Sequence, residues 1–216
     1  MGAAGQPQWA VIVPLKPLGR SKTRLAQNEG LRSELAFSFV RDVVAAAMAS
    51  PVVVQVIIVT DDQRATAVLR QAGARVISDP PGQGDMNDAI EHGSLAARGR
   101  NADVGLAALM SDLPALTTEQ LTEALTAAWD IRRSYVPDAD GIGTTMLTSR
   151  PGVRLAASFG VASADEHFAS GARPLELDST PGLRRDVDTA ADLADAVALG
   201  VGPATAATLA AEGPFG

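Results

Sequence analysis

The chain has 216 residues, of which 46% are hydrophobic and 20% are charged, a composition typical of a globular protein and not of a disordered one. It has no cysteine, which excludes disulfide frameworks and thiolate zinc sites, and its two histidines argue against a multi-histidine metal site. Its formal net charge of −7 argues against bulk nucleic-acid binding, and no apolar run reaches the roughly 18–20 residues of a membrane span.

Short apolar runs alternate along the chain with longer amphipathic segments. Apolar or β-branched runs predict strands, in chain order, at Trp9–Pro14, 52–60, 74–78 and 104–110, with weaker candidates at 134–137, 144–148 and 175–177. Helical periodicity and capping residues predict helices at 31–47, 61–72, 87–98, from Thr117 onward and at Ala190–Leu199, with caps at Asn87, Thr117 and Thr189.

This alternation of strands and helices predicts parallel strands joined by right-handed crossovers. The fold class is therefore a three-layer α/β/α sandwich with a mostly parallel sheet. We expect a single domain over residues 1–216, with a core at about 9–200 and a peripheral, alanine-rich tail at 203–216. In such sheets ligands bind outside the carboxyl ends of the strands.

A basic loop follows the first predicted strand. Four of the chain's 18 basic residues stand within nine positions of this loop: Lys16, Arg20, Lys22 and Arg24. Gly19 keeps the loop small enough for backbone amides to approach a ligand. Cations and amides at this edge of a sheet suit a triphosphate, although a solvated basic turn is the alternative. The loop lacks the GxxxxGK[ST] pattern of a Walker A motif.

Acidic residues follow the strand predicted at 104–110 and precede the last predicted helix. Asp112 stands just past that strand, and Asp186 and Asp188 stand two positions apart before Thr189. Three carboxylates could hold a hard divalent cation between nucleotide phosphates. The alternatives are a turn-forming role for Asp112 and simple helix capping for Asp188. Together with the basic loop, these aspartates favour phosphoryl or nucleotidyl transfer with Mg²⁺.

The chain resembles the 2-phospho-L-lactate/phosphoenolpyruvate guanylyltransferases, which act in biosynthesis of the deazaflavin coenzyme factor 420. The resemblance runs from about residue 9 to residue 203 and is carried, in order, by PLKPLGRSKTRLA, GDMNDAI, MSDLPAL, GIGTTML, FGVASADEH and LRRDVDTAADL. It implies the nucleotidyltransferase form of the α/β/α sandwich. Sugar-activating nucleotidyltransferases usually carry a GxGxR loop, of which only Gly19 is present here, and this departure argues against a sugar-nucleotide or molybdopterin-type enzyme.

The resemblance implies a role for each matching residue. The GTP phosphates would be bound by Leu15, Lys16, Gly19, Arg20, Ser21, Lys22 and Arg24, with Lys16 and Lys22 as the main cations. Asn87 would lie near the nucleotide base or ribose, and Asp112, Asp186 and then Asp188 would carry Mg²⁺. Thr144, Gly160 and Ser163 would hold the three-carbon acceptor, with amides and hydroxyls offered by GIGTT and an anion-favouring helix start at Ser163.

The implied reaction is attack of the acceptor's phosphate on the α-phosphorus of GTP, with pyrophosphate leaving. Lys16, Lys22 and Asp112 would be the catalytic residues. The implied partners are GTP, a phosphorylated three-carbon acid and a downstream transferase of the same pathway, with no nucleic acid and no membrane. The first residues lack a basic leader, so we expect a cytoplasmic protein. The sequence leaves the oligomeric state open.

Two other functions remain open at this point: nucleotidyl transfer to another small phosphorylated acid such as 3-phosphoglycerate, and a catalytically silent nucleotide-binding module. The run LGVGPATAATLA at 199–210 fits a helix-hairpin-helix DNA-binding motif, but no Lys or Arg follows Arg185, so a packed helical turn is favoured. The pair 61–62 is interpreted as a helix cap, and His167 is a weaker candidate for the acceptor pocket.

Overall fold

The computed structural model describes residues 7–18, 25, 28–80 and 84–212. The strands in this part of the chain are β1 (Trp9–Pro14), β2 (Val53–Val59), β3 (Arg75–Ile77), β4 (Gly105–Leu109), β5 (Arg133–Pro137), β6 (Thr144–Ser149) and β7 (Arg173–Pro174). The helices are α1 (Glu29–Ala49), α2 (Gln63–Gln71), α3 (Met86–Arg98), α4 (Thr118–Ala128), α5 (Ser163–Ala169), α6 (Pro181–Arg184), α7 (Ala190–Leu199) and α8 (Pro203–Glu212).

The described strands form one mixed sheet in the order β3-β2-β1-β4-β6-β5-β7. Strands β1 to β4 are parallel, whereas β6 runs antiparallel to both of its neighbours, β4 and β5. The carboxyl ends of β1 to β5 therefore lie at one edge of the sheet, together with the turn that leads from β5 into β6. This arrangement confirms the predicted mostly parallel sheet and directs attention to that edge.

Alternating residues of β1 face the two helical layers. Val11 and Val13 pack in a core cluster with α1, α2 and α4, while Ala10 and Ile12 pack in a second cluster with α3 and the 155–164 segment. The second layer lies close to the sheet, because a Cβ on Gly93 of α3 would stand 2.5 Å from Cγ2 of Ile12. Helices therefore cover both faces, as the three-layer prediction requires.

Two local predictions were wrong. Helix α3 is capped by Asp85 and not by Asn87, because the Asp85 carboxylate accepts the N–H groups of Asn87 and Asp88. No strand forms at 175–177; the edge strand β7 lies two residues earlier, and the N–H of Leu175 donates to the carbonyl of Tyr135 at its end. The other predicted elements are confirmed to within a few residues at their ends.

The alanine-rich segment 203–212 forms helix α8, which packs against α1. The buried carboxylate of Asp42, 4% exposed, accepts the N–H groups of Ala204 at 2.9 Å and Thr205 at 2.8 Å. Ser38 and Thr208 add a hydroxyl–hydroxyl bond of 2.6 Å. The segment is thus a docked helix and not a peripheral tail, which agrees with the packed role favoured for residues 199–210.

Replacing Asp42 by alanine should destabilise the protein by about 2–3 kcal/mol, because two N–H groups at the start of α8 would lose a charged acceptor in a buried place. Urea denaturation at neutral pH measures this loss. Asp130→Ala, at an exposed carboxylate, is the matched control and should change the free energy of unfolding by less than about 0.5 kcal/mol. Equal stabilities of the two variants would contradict a stabilising role for the Asp42 contact.

Candidate active site

A cavity of about 670 Å³ opens at the carboxyl edge of the sheet. Its wall is formed by residues that follow β1, β2, β3 and β4, by the start of α3, by α1 and by Asp188. The position is the one expected for a ligand of a parallel α/β sheet, since the strand ends leave a crevice there. Two predicted site residues from distant parts of the chain, Lys16 and Asp112, both line it.

The described part of the basic loop extends from β1 along the cavity. The N–H of Leu15 donates to the carbonyl of Val59, which continues the pairing of β1 with β2, and the Lys16 side chain is exposed to the cavity. Further on, the N–H of Leu18 donates to the carboxylate of Asp62, which also caps α2. The predicted phosphate-binding residues Gly19, Arg20, Ser21, Lys22 and Arg24 lie outside the described residues.

Two acidic segments meet at the end of β4. The N–H of Val187 donates to the carbonyl of Asp112 at 3.1 Å, so the 186–188 segment is fixed beside the end of β4. Burial, together with the negative charges of Asp112, Asp138 and Asp188, raises the pKa of Asp186 to about 7. The three predicted metal-binding aspartates are therefore brought to one region, as the sequence predicted.

Asp138 belongs to the same acidic region and was not singled out in the sequence. It follows β5, and its carboxylate accepts the N–H groups of Ile142 at 2.9 Å and Gly143 at 2.7 Å. These bonds close the turn into β6, and the Arg184 guanidinium donates to the carbonyls of Pro137 and Asp138. Two of the amides that GIGTT was predicted to offer an acceptor are thus already used within the turn.

Within the described ranges, no three acidic or histidine side chains are arranged as a ready-made metal-binding group. Burial and the negative charges of Asp112, Asp138 and Asp188 nevertheless raise the pKa of Asp186, and a hard cation would relieve that repulsion. Asp188 lines the cavity while Thr189 caps α7 in a capping box. Thr189 and not Asp188 is therefore the cap of α7, and Asp188 contributes to the cavity wall.

The far end of the cavity is also acidic. Asp61 and Asp79 follow β2 and β3, and the Asp61 carboxylate accepts the N–H of Asp79 at 3.2 Å. Burial and the neighbouring Asp61 charge raise the pKa of Asp79. Of the neighbouring residues 61 and 62, which the sequence predicted as a helix cap, Asp62 caps α2, whereas Asp61 lines the cavity. The rule that ligands gather at strand ends could have identified both Asp61 and Asp79.

Asn87 follows Met86, which lines the cavity, but the Asn87 side chain is engaged elsewhere. Its amide nitrogen donates to the carbonyl of Phe159 at 3.0 Å, and its amide oxygen accepts the Phe159 N–H at 2.7 Å. Its side chain is absent from the described wall of the cavity, which is formed at this point by Asp85 and Met86. The structure therefore connects Asn87 to the 158–160 loop and gives no contact that would support its predicted nucleotide role.

The three predicted acceptor residues lie on the β6 side of β4, in β6, in α5 and in the loop before α5. These segments contact one another. Thr144 begins β6 and is 6% exposed, Ser163 begins α5 and is 2% exposed, and Gly160 stands in the exposed loop before α5. The N–H of Ala164 donates to the carbonyl of Ile142, which joins α5 to the turn before β6. The structure thus gathers the segments that carry these residues.

His167 is fully buried in this group of elements. Its Nδ1 lies 2.9 Å from the Thr144 hydroxyl, and its Nε2 accepts the N–H of Ser158 at 3.1 Å. The ring also contacts Phe159 edge-on, at a centroid distance of 5.0 Å. Burial and then the positive charge of Arg133 lower the pKa of His167 to about 4, so the ring is neutral at physiological pH.

Comparison with known proteins agrees with this geometry. The model of the family described as guanylyl transferase CofC-like matches residues 9–209. The chain belongs to this family. Relatives of the CofC-like chain include the phosphoenolpyruvate guanylyltransferase of Streptomyces coelicolor, 49% identical over 94% of this chain and 96% of the relative. The phosphoenolpyruvate guanylyltransferase of Geodermatophilus obscurus is 50% identical over 93% of this chain and 94% of the relative.

The fold of the CofC-like chain is similar to that of solved nucleotidyltransferase structures. A nucleotidyl transferase from Methanothermobacter matches with a TM-score of 0.61 at 17% identity, covering 89% of this chain and 97% of that one. A 4-diphosphocytidyl-2C-methyl-D-erythritol synthase matches with a TM-score of 0.60 at 14% identity, covering 90% and 99%. The predicted nucleotidyltransferase-like sandwich is confirmed. Among the described helices, none has the length and apolarity to cross a bilayer.

Proposed function

We propose that the chain transfers GMP from GTP to the phosphate of phosphoenolpyruvate, releasing pyrophosphate, as a step in factor 420 biosynthesis. The observation that carries this proposal is the strand-edge cavity that Lys16 lines together with aspartates of two distant segments, Asp112 and Asp188. The names of the curated relatives, at up to 50% identity over nearly the whole chain, support the same activity. GTP and phosphoenolpyruvate are cytoplasmic metabolites, so we place the reaction in the cytoplasm.

The chemistry needs positioning and charge neutralisation more than proton transfer. An oxygen of the acceptor's phosphate attacks the α-phosphorus of GTP in line, the new P–O bond forms, and the bond to the β-phosphate's bridging oxygen breaks as pyrophosphate leaves. Because a phosphate is already ionised at neutral pH, its attack requires no general base. Lys16 would neutralise charge on the triphosphate, and Lys22 in the same loop is proposed to do likewise.

The donor set suits a hard cation. Asp112 and Asp186, with Asp188 next to them, are the residues that would hold Mg²⁺, because carboxylate oxygens are its preferred protein ligands. Bound there, Mg²⁺ would supply charge neutralisation at the α-phosphate and the departing pyrophosphate. Burial first, and then the charges of the neighbouring aspartates, raise the pKa of Asp186, and a bound cation would offset that concentration of negative charge.

The charges of the cavity also orient the nucleotide. Along the strand ends, Lys16 follows β1 and lies between the 112–188 region beside β4 and the carboxylates of Asp61 and Asp79 after β2 and β3, which would repel phosphate oxygens. We therefore place the triphosphate beside Lys16 and the base and ribose towards Asp61, Asp79 and the start of α3. In this orientation the α-phosphate lies near the end of β4, beside the elements that carry the proposed acceptor residues Thr144, Gly160 and Ser163.

A panel of acceptors and nucleotides tests the proposal. Purified protein is mixed with Mg²⁺, one of GTP, ATP, CTP and UTP, and one of phosphoenolpyruvate, 2-phospho-L-lactate and 3-phosphoglycerate; pyrophosphate release and product mass are recorded. We expect GTP with phosphoenolpyruvate to exceed every other pair by about tenfold or more in kcat/KM. A higher rate with 3-phosphoglycerate would favour the alternative acceptor, and no pyrophosphate from any pair would favour a silent nucleotide-binding module. Copurification with a downstream transferase of the pathway would test that proposed partner.

A further inference from the structure

We propose that His167 and Asn87 are positioning residues that hold the 158–160 loop and the Thr144 hydroxyl in place for the acceptor, and that neither contacts GTP. This inference rests on the proposed function and deepens it. It assigns two residues to the acceptor half of the site through contacts to two successive residues of one short loop, Ser158 and Phe159.

The hydrogen bonds of His167 determine its tautomer. Since Nε2 accepts the N–H of Ser158, the ring proton is on Nδ1 and is donated to the Thr144 hydroxyl oxygen. Thr144 is then the acceptor in this bond, which leaves its own hydroxyl hydrogen to be donated to another oxygen. An anionic acceptor carries such oxygens. The buried histidine thus makes the Thr144 hydroxyl a hydrogen-bond donor towards a further oxygen, which an anionic acceptor would supply.

The loop itself is fixed at successive positions. Arg133 donates to the carbonyls of Leu155 and Ala156 before the loop, and His167 accepts the Ser158 N–H within it. Asn87 then binds both the N–H and the carbonyl of Phe159. Because these hydrogen bonds hold the backbone of Ser158 and Phe159, the next residue, Gly160, has little conformational freedom. A side chain at Gly160 would meet nothing within 4 Å. Gly160 therefore presents its backbone to open space from a rigid base.

Asn87 also connects the two halves of the site. It lies in the first turn of α3, next to Met86, which lines the nucleotide cavity, and its amide reaches across to Phe159. The acceptor loop is therefore braced on the helix that borders the GTP cavity. Removal of the Asn87 amide should disturb the loop while the cavity wall remains, because that wall is formed by other side chains.

Steady-state kinetics with GTP, Mg²⁺ and phosphoenolpyruvate tests the inference on four variants: His167→Leu, His167→Gln, Asn87→Ala and, as a control at a partly exposed histidine of α3, His92→Gln. We expect His167→Leu and Asn87→Ala to raise the KM for phosphoenolpyruvate about tenfold or more, with the KM for GTP unchanged within about twofold. His167→Gln, whose amide can still accept the Ser158 N–H, should recover a measurable part of that loss. His92→Gln should leave both KM values unchanged.

The outcomes separate the inference from the proposed function. If the wild-type protein releases no pyrophosphate, the proposed function fails. If it is active and the variants keep the KM for phosphoenolpyruvate, or if Asn87→Ala raises the KM for GTP instead, the positioning role is wrong. A purely structural role would lower the active fraction without a selective change in one KM. Should His167→Leu not fold, Asn87→Ala alone decides the question, because its side chain is only half-buried.

Discussion

Replacing Asp112 by asparagine is expected to lower kcat for guanylyl transfer by about 10³-fold while leaving the protein folded. Asparagine keeps the shape of the side chain and the backbone carbonyl that accepts the Val187 N–H, so the 186–188 segment stays in place. What the substitution removes is one negative charge from the carboxylate region beside the cavity. Mg²⁺ affinity and the alignment of the α-phosphate should both suffer from that loss.

The matched control is Asp130→Asn, which removes the same charge from an exposed position after α4. Initial rates at saturating GTP and phosphoenolpyruvate, a Mg²⁺ titration and a thermal melt are measured for both variants. The control should retain full activity, and the Asp112 variant should need a higher Mg²⁺ concentration and melt near the wild-type temperature. Near-normal turnover by Asp112→Asn would remove this residue from the mechanism.

Acidification should destabilise the wild-type protein through His167. The unfolded histidine has a pKa near 6.5, whereas burial and the charge of Arg133 lower the folded value to about 4. Between these two pKa values the histidine is protonated in the unfolded chain but not in the folded one, so the free energy of unfolding falls as the pH decreases. At pH 5 the loss from this residue amounts to about 2 kcal/mol, and it is absent above about pH 7.5.

Comparison with His167→Gln isolates this contribution, because glutamine does not titrate. Urea denaturation of both proteins is measured from pH 7.5 to pH 5. At pH 7.5 the wild-type protein should be the more stable, and its advantage should shrink by about 2 kcal/mol on reaching pH 5. A difference between the two proteins that stays constant across this range would show that the folded-state pKa of His167 is not lowered.

Much of the nucleotide half was predictable from the sequence because its signals are local. The apolar runs before Lys16 and Asp112 identify β1 and β4, and the rule for parallel sheets then places both residues at one edge. The 186–188 segment was joined to them by chemical type alone, and the structure supplies the reason, the bond from Val187 to the Asp112 carbonyl. A hydrogen bond between residues 75 positions apart leaves no local pattern in the chain.

The acceptor half was less predictable for the same physical reason. Asn87 has the type and position of a helix cap, but Asp85 caps α3, and the amide of Asn87 serves Phe159, 72 residues away. Nothing in the sequence around His167 indicates that it is buried. Only the packing of β6, α5 and the 158–160 loop places its ring between Thr144 and Ser158, to which it is hydrogen-bonded. The docking of α8 on α1 likewise depends on Asp42, a single buried carboxylate in an apolar helix face.

The reversal of β6 in the sheet divides the chain in a way that bears on how such enzymes diverge. Residues 14–112 supply the nucleotide cavity together with Asp188, whereas Thr144, Gly160 and Ser163 come from the single stretch between β5 and β7. Under the proposed function, natural selection for a different acceptor can therefore act on one contiguous stretch while the proposed GTP-binding half is inherited unchanged. Chimeras that exchange residues 133–174 between relatives should for this reason transplant acceptor preference as a unit.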